Sequence, residues 1–278
     1  MRELNFLFWN LNRKNLVDEI RNIVFKHNID ILILAECSKL NVSELLSSLK
    51  EKDRLFLPNH PFSQCEKIQI YSKFEAQFIA PYEETKRVTI RKLALPSFET
   101  INLVAVHLPD KNTHSNDSQS ANATLVADRV TRFEMSKDNS DKTIIVGDFN
   151  MNPFEIGMIK ADGFHAIMSS ELTKKEKRTI DGRDYKFFYN PMWSLYGDVR
   201  NNVSGSYYYS NAEFINYRWN VFDQVLIRPS LLSNFVKESV AFLDNDGTKS
   251  LLSKEGLPNK KYSDHLPLFF TIKLNEYD

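Results

Sequence analysis

The feature that most limits what this chain can become is the run from Ile29 to Ala35, nearly continuous in branched apolar residues and closed by Glu36. A strand that is apolar on successive residues needs cover on both faces, so it belongs inside a sheet flanked by other layers. The carboxylate at its end then demands solvent, a cation or a hydrogen-bonding partner. The run is far too short to span a bilayer. Met1-Arg2-Glu3 also leads straight into the Leu4 to Trp9 segment, without a cleavable apolar leader. The expectation is a cytoplasmic protein with no membrane partner.

The rest of the chain alternates in the same way. Leu4 to Asn10 reads as a strand, and Leu16, Ile20, Ile23, Val24 and His27 follow at helical spacing. A second amphipathic helix, with Val42, Leu45, Leu46 and Leu49, is expected after Asn41. Short strands at Ile68 to Ser72, Gln77 to Ala80, Arg87 to Leu95 and Thr100 to His107 read as an antiparallel meander. The polar stretch from Asp110 to Ala121 reads as a loop before a helix over Leu125 to Met135. Thr143 to Gly147 is a strand ending at Asp148, and Asn152-Pro153 reads as the cap and first position of a short helix towards Lys160. Further strands are expected at Phe222 to Ile227, Phe235 to Phe242 and Leu266 to Ile272. No fixed-period repeat or Gly/Ser-rich linker interrupts the pattern, so 1–278 reads as one domain of two packed sheets.

Composition excludes several functions. The 36 Lys and Arg cancel the 36 Asp and Glu, which leaves no global field to hold polyanions, and any phosphate affinity must be local. With only Cys37 and Cys65, neither a disulfide framework nor a Cys-rich zinc site can be built, and Cys37 reads as a small buried residue. The polar residues Asn10, Glu36, His107, the pair Asp148 and Asn150, and the pair Asp264 and His265 all stand where strands run out. Gathered at one rim, their oxygens suit a hard cation, Mg2+ or Mn2+, over zinc.

Read in order, Phe8-Trp9-Asn10, Leu34-Ala35-Glu36, Val106-His107-Leu108, Gly147-Asp148-Phe149-Asn150, Phe222-Asp223-Gln224-Val225 and Ser263-Asp264-His265-Leu266-Pro267 form a set. That set resembles the ordered motifs of the endonuclease/exonuclease/phosphatase superfamily, which includes the deoxyribonuclease I-like nucleases. The resemblance implies a four-layer α/β sandwich, two central mixed β-sheets flanked by helices, and metal-dependent hydrolysis of a phosphate ester. It implies Glu36 as the principal metal ligand, with Asn10 and Asp264 near the metal. It implies His265 as general base oriented by Asp223, Asp148 and Asn150 as positioning groups, and His107 as a hydrogen bond to the phosphate or an acid for the leaving oxygen. Whether Asp148 or His265 activates the water stays open at this level.

Tyr185 to Phe222 holds thirteen of the chain's aromatic residues, dense enough for either sheet-edge packing or base stacking, and Trp193 is the candidate substrate contact there. Arg13, just past Asn10, is the candidate contact to a further phosphate. The expected activity is a nuclease on DNA or RNA, with nucleic acid as partner. The alternative is a phosphomonoesterase or a phospholipid or inositol-phosphate hydrolase on the same fold.

Overall fold

In the computed structural model, β1 (Arg2–Asn10) runs parallel to β2 (Ile31–Ala35), pairing Phe6 with Ile31 and Asn10 with Ala35. Residues 1–50, 56–58, 63–136, 140–199 and 202–276 are described. Strands are numbered in chain order. The first sheet has six strands in the order β16 (Phe235–Phe242), β17 (Leu268–Leu274), β1, β2, β4 (Ile68–Ser72) and β3 (Leu57–Pro58). The second has seven, in the order β5 (Ile79–Glu84), β6 (Val88–Leu93), β7 (Ile101–His107), β8 (Thr143–Asp148), β15 (Asp223–Ile227), β12 (Phe188–Tyr189) and β9 (Ala166–Ile167). Two hairpins stand apart, β10 (Lys177–Ile180) with β11 (Arg183–Lys186), and β13 (Tyr207–Tyr208) with β14 (Trp219–Asn220). Both sheets are mixed, because β1–β2 and β7–β8 are parallel while their outer neighbours are antiparallel.

One apolar cluster fills the space between the sheets and continues under the helices α1 (Val17–Lys26) and α2 (Val42–Leu49). It joins Phe6 and Ile33 to Leu103 and Val146, and it takes in Ile20, Val24 and Leu45. A second cluster packs Val104, Val106 and Ile145 of the outer face of the second sheet against Ala123, Val130 and Phe133 of α3 (Asn116–Met135). The result is the four-layer α/β sandwich, with β2 buried along its whole length as its composition required. Two single-turn helices, α4 (Ile156–Ile159) and α5 (Ser170–Thr173), are the remaining α-helices among the described residues. Among the described residues no helix is long and apolar enough to cross a membrane.

Four local readings change. Helix α3 begins at Asn116, because Ser115 accepts the Ser118 amide as its cap, so half of the polar stretch is helix with a solvated outer face. The helix expected from Pro153 starts only at Ile156. Asn152 is diverted from capping by bonds to the Val221 amide and the Asn220 side chain. Gln77 and Phe78 lie in a 3-10 turn, and β5 starts after it. Strand β4 leaves the expected meander and pairs with β2 in the first sheet.

A buried ion pair ties the far end of β15 to the end of α3: Arg228 Nε and Nη2 donate to the two Glu134 oxygens at 2.8 and 3.0 Å. Arg228 also donates to the Phe187 carbonyl and stacks 3.7 Å over the Phe188 ring. Removing one partner strands a buried charge, so Glu134→Ala is expected to cost about 3–5 kcal/mol, read as a lower guanidinium unfolding midpoint.

Candidate active site

The parallel pairs decide where the polar strand ends meet. Asn10 and Ala35 finish β1 and β2 side by side, so Glu36 follows directly beside Asn10. In the facing sheet, His107 pairs with Asp148 at the ends of β7 and β8, and Asp223 pairs with Asp148 from the antiparallel β15. His265 enters just before β17, and Trp9 Nε1 on β1 donates to its carbonyl at 2.9 Å. Gly147 permits the β7–β8 approach. Its φ is +153°, and a Cβ there would lie 1.9 Å from the Val106 carbonyl oxygen. Gly147→Ala is therefore expected to abolish the soluble folded protein or cost several kcal/mol, checked by chemical unfolding beside wild type.

Four of the ten non-glycine residues with positive φ among the described residues stand at the same rim. Asn12, Arg13, Glu36 and Asn150 all take positive φ, between 45° and 58°. Each costs of order 1–3 kcal/mol unless the surroundings hold it. Here they do: the Arg13 amide donates to the Glu36 carbonyl at 3.0 Å, and the Asn150 amide donates to Asp148 Oδ1 at 2.9 Å.

The side chains form one connected network. Asn10 Nδ2 donates to Asp148 Oδ2 at 3.0 Å, while Asn10 Oδ1 accepts the Asn12 amide. Ser263 Oγ donates to the Asn10 carbonyl and accepts the His265 amide, which docks the last motif against the first. His265 Nδ1 faces Asp223 Oδ2 at 2.8 Å, and its Nε2 lies 3.9 Å from Asp148 Oδ2. His107 Nε2 stands between Glu36 Oε1 at 3.7 Å and Asp148 Oδ2 at 3.8 Å, too far for direct hydrogen bonds. Asn150 Nδ2 is committed to the Leu108 carbonyl at 2.9 Å. Two buried atoms of this network, Asp223 Oδ1 and His107 Nδ1, have no hydrogen-bond partner among the described residues.

These contacts set the electrostatics. Burial opposes a charge on His265, but Asp223, Asp148 and Asp264 together outweigh it and push the imidazole up to about 10. Burial also raises Asp223, against the pull of His265. Burial holds His107 below its ordinary value despite Asp148 and Glu36 nearby. The Cys37 thiol is pushed up by burial and by Glu36, which removes it as a nucleophile.

A cleft of about 880 Å³ opens over these groups and is lined by Asn10, Arg13, Glu36, His107, Asp148, Asn150, Asp264 and His265. Asp223 lies beneath it, fully buried behind His265. Among the described residues Asp148, Asp223 and His265 bring one ligand atom each within 4.8 Å of one another. The Asp223–His265 bond already occupies that trio. Asn10, Glu36 and Asp264 line the same cleft as Asp148, and their oxygens are of the type a hard divalent cation takes. Arg13 Nε lies 3.4 Å from Glu36 Oε2.

Trp193 does not line the cleft. It stands edge-on behind Phe154, which does, with ring centroids 6.2 Å apart. The cleft also takes in Lys67, Arg87, Lys111, Phe154 and Tyr217, which the motifs did not mark. Phe154 follows the Gly-Asp-Phe-Asn motif by only four residues, a proximity that could have flagged it. Lys67 and Arg87 carry no local signal, since they reach the rim through strand pairing.

The sequence profile of the Endonuclease/Exonuclease/phosphatase family matches residues 7–265. No curated protein sequence matches the chain. Among solved structures, truncated TDP2 from Caenorhabditis elegans is similar at a TM-score of 0.57 and 16% identity, covering 98% of each chain. An AP endonuclease from Archaeoglobus fulgidus is similar at 0.56 and 14%, covering 97% of this chain and 99% of that one. The 3′ phosphatase NExo from Neisseria, bound to product DNA hairpin, is similar at 0.52 and 14%, with the same coverage. These likenesses concern the fold. With the profile running from the strand that carries Asn10 to His265, the chain belongs to the endonuclease/exonuclease/phosphatase family of phosphoester hydrolases.

Proposed function

We propose that this chain is a nuclease that hydrolyses phosphodiesters in DNA or RNA, as one catalytic domain over 1–278, with Mg2+ or Mn2+ as its metal. The observation that carries the reading is the Asp223–His265–Asp148 line at the floor of a cleft whose rim bears Lys67 and Arg87, without carboxylate partners among the described residues, and Arg13 and Lys111, which pair with Glu36 and Glu155. A phosphomonoester needs cations only around one phosphate, whereas a polymer presents further phosphates along the rim.

In this reading Asn10, Glu36 and Asp264 hold the cation. When bound there, it supplies positive charge to the phosphoryl oxygens and offsets the carboxylate field around His265. His265 takes the proton of the attacking water at Nε2, which makes no hydrogen bond among the described residues; with its imidazole pushed up to about 10 it acts in its neutral form, so the rate is expected to climb as pH rises towards that value. Asp148 accepts one bond at each oxygen, from Asn10 and Asn150, keeps lone pairs on both, and is the alternative base. Asp223 fixes the tautomer through Nδ1 and stabilises the imidazolium. Asn10 and Asn150 hold Asp148 in place beside the reacting water. His107, kept neutral by burial, serves as a hydrogen-bond donor to the phosphate and not as an acid.

Nucleic acid as substrate is supported by the neighbours' own bound molecules: a Danio rerio TDP2 complexed with single-strand DNA product, and NExo bound to a DNA hairpin. The free thiols of Cys37 and Cys65 agree with the proposed cytoplasmic location.

The test is a substrate panel of single- and double-stranded DNA, RNA, bis-p-nitrophenyl phosphate and inositol phosphates, with Mg2+, Mn2+ or chelator. Metal-dependent strand cleavage that chelator stops is the expected result. Release of inorganic phosphate alone would place the chain on the phosphatase branch and overturn the nuclease reading.

A further inference from the structure

The β13–β14 hairpin carries an apolar arm beside the cleft. Between its strands, residues 209–218 form a loop held by its own polar bonds. Asn211 Oδ1 accepts the Glu213 amide and Asn216 Nδ2, Asn216 Oδ1 accepts the Arg218 amide, and the Tyr209 amide donates to the Arg218 carbonyl. This ordered loop presents Phe214 and Ile215 to solvent, with Tyr209 and Tyr217 about half exposed. Apolar side chains held outward on a fixed loop have a large unmet gain from being covered.

The arm is continuous with the site. Tyr209, Ile215 and Tyr217 line the cleft together with Phe154. Phe154 is fixed by three edge-on rings, with centroids 6.2 Å to Trp193, 5.7 Å to Tyr196 and 5.2 Å to Tyr217. Tyr196 is anchored in turn through its hydroxyl to the Trp219 carbonyl at 3.1 Å. The same cleft takes Lys67 and Arg87, neither of which has a carboxylate partner among the described residues. One opening thus offers rigid aromatic faces from one set of segments and, from another, cations with no carboxylate partner among the described residues.

A ligand that matches both must expose flat apolar rings and repeated negative charge. Unpaired nucleotides do, because each base has a free face and each link a phosphate. An intact duplex hides its base faces inside the stack. We infer that the 207–220 hairpin is a base-stacking arm, so that the substrate engages this site as a single strand or a frayed end. The inference rests on the nuclease reading and deepens it.

The test is binding of the full chain, with Mg2+ and in a His265→Ala background so that the strand is not consumed. The probes are a single strand of about 12 nucleotides carrying 2-aminopurine and the matched duplex. The single strand is expected to bind at least about tenfold more tightly than the duplex and to lose 2-aminopurine fluorescence on binding. Replacing both Phe214 and Tyr217 by Ala should weaken single-strand binding by about tenfold or more and restore that fluorescence, while Phe214→Trp with Tyr217→Trp keeps both signals. Phe214 is fully exposed and Tyr217 half exposed, so the buried core is untouched; Tyr217→Ala also removes one of the three rings against Phe154, and Phe214→Ala alone separates that effect from stacking on the arm. Equal binding of duplex and single strand, or quenching that survives the double Ala change, would overturn the arm. So would binding to phosphatidylserine vesicles in preference to the strand. The two readings separate cleanly. A strand that binds and stacks but is never hydrolysed by wild type sinks the nuclease reading alone, and cleavage of both strand forms that ignores the arm sinks the arm alone.

Discussion

His265→Ala is expected to lower kcat for phosphodiester hydrolysis by about 10²–10⁴-fold, the range for losing a general base. The geometry gives the reason. Nδ1 is held by Asp223 at 2.8 Å, and Nε2 lies at the cleft 3.9 Å from Asp148 Oδ2. The change has a second consequence, because Asp223 is fully buried and one of its oxygens already lacks a hydrogen-bond partner among the described residues. Without the imidazole that carboxyl has lost its charged neighbour, so the variant should melt earlier than wild type while keeping its circular dichroism spectrum. Steady-state rates beside a thermal melt check both halves. Wild-type turnover in a folded variant would remove His265 from the chemistry, and Asp148 would take its place as the candidate base.

Asp148→Asn is the second large effect, expected at a hundredfold or more in kcat. The substitution preserves volume, and its amide can still accept from Asn150 through one oxygen. It removes the charge that Asn10 meets at 3.0 Å and that both His107 and His265 sense within 4 Å. One amide NH2 would also face the Asn10 NH2, so Asn10 must turn and its contact to the Asn12 amide is disturbed. The readouts are kcat and the concentration of Mg2+ giving half-maximal rate. A rate within about threefold of wild type would show that Asp148 only caps its own turn, bonding the Asn150 amide.

Much of the frame could be read from local pattern. Strand β2 announced its own burial through its composition, and the polar residues closing β1, β2, β7 and β8 stood out because each interrupts an apolar run. Where the pattern misled, a longer-range bond had taken over the local one. Asn152 looked like a cap, yet its side chain bridges to Asn220 and Val221, 68 and 69 residues away. Strand β4 looked like part of a meander, yet it joins the other sheet beside β2. Trp193 looked like a substrate contact, yet it stands one ring behind Phe154. Lys67 and Arg87 were invisible as site residues, since nothing in their neighbourhoods differs from any solvated Lys or Arg.

What the sequence by itself determined is the longer strands and helices with their buried faces, not the short strands β3 and β9 to β14, and the set of polar residues that end those longer strands. Periodicity and composition act within a few residues, so a chain carries that information locally. Only the tertiary structure decided that β1 lies beside β2 in one sheet and β7 beside β8 in the other. From that follow the approach of Glu36 to His107, the meeting of His265 with Asp223 across 42 residues, and the placement of Phe154 and the 207–220 hairpin along one cleft. Those are questions of register and of which strand neighbours which. They are settled by burying two apolar faces against each other, a global condition that no single segment encodes.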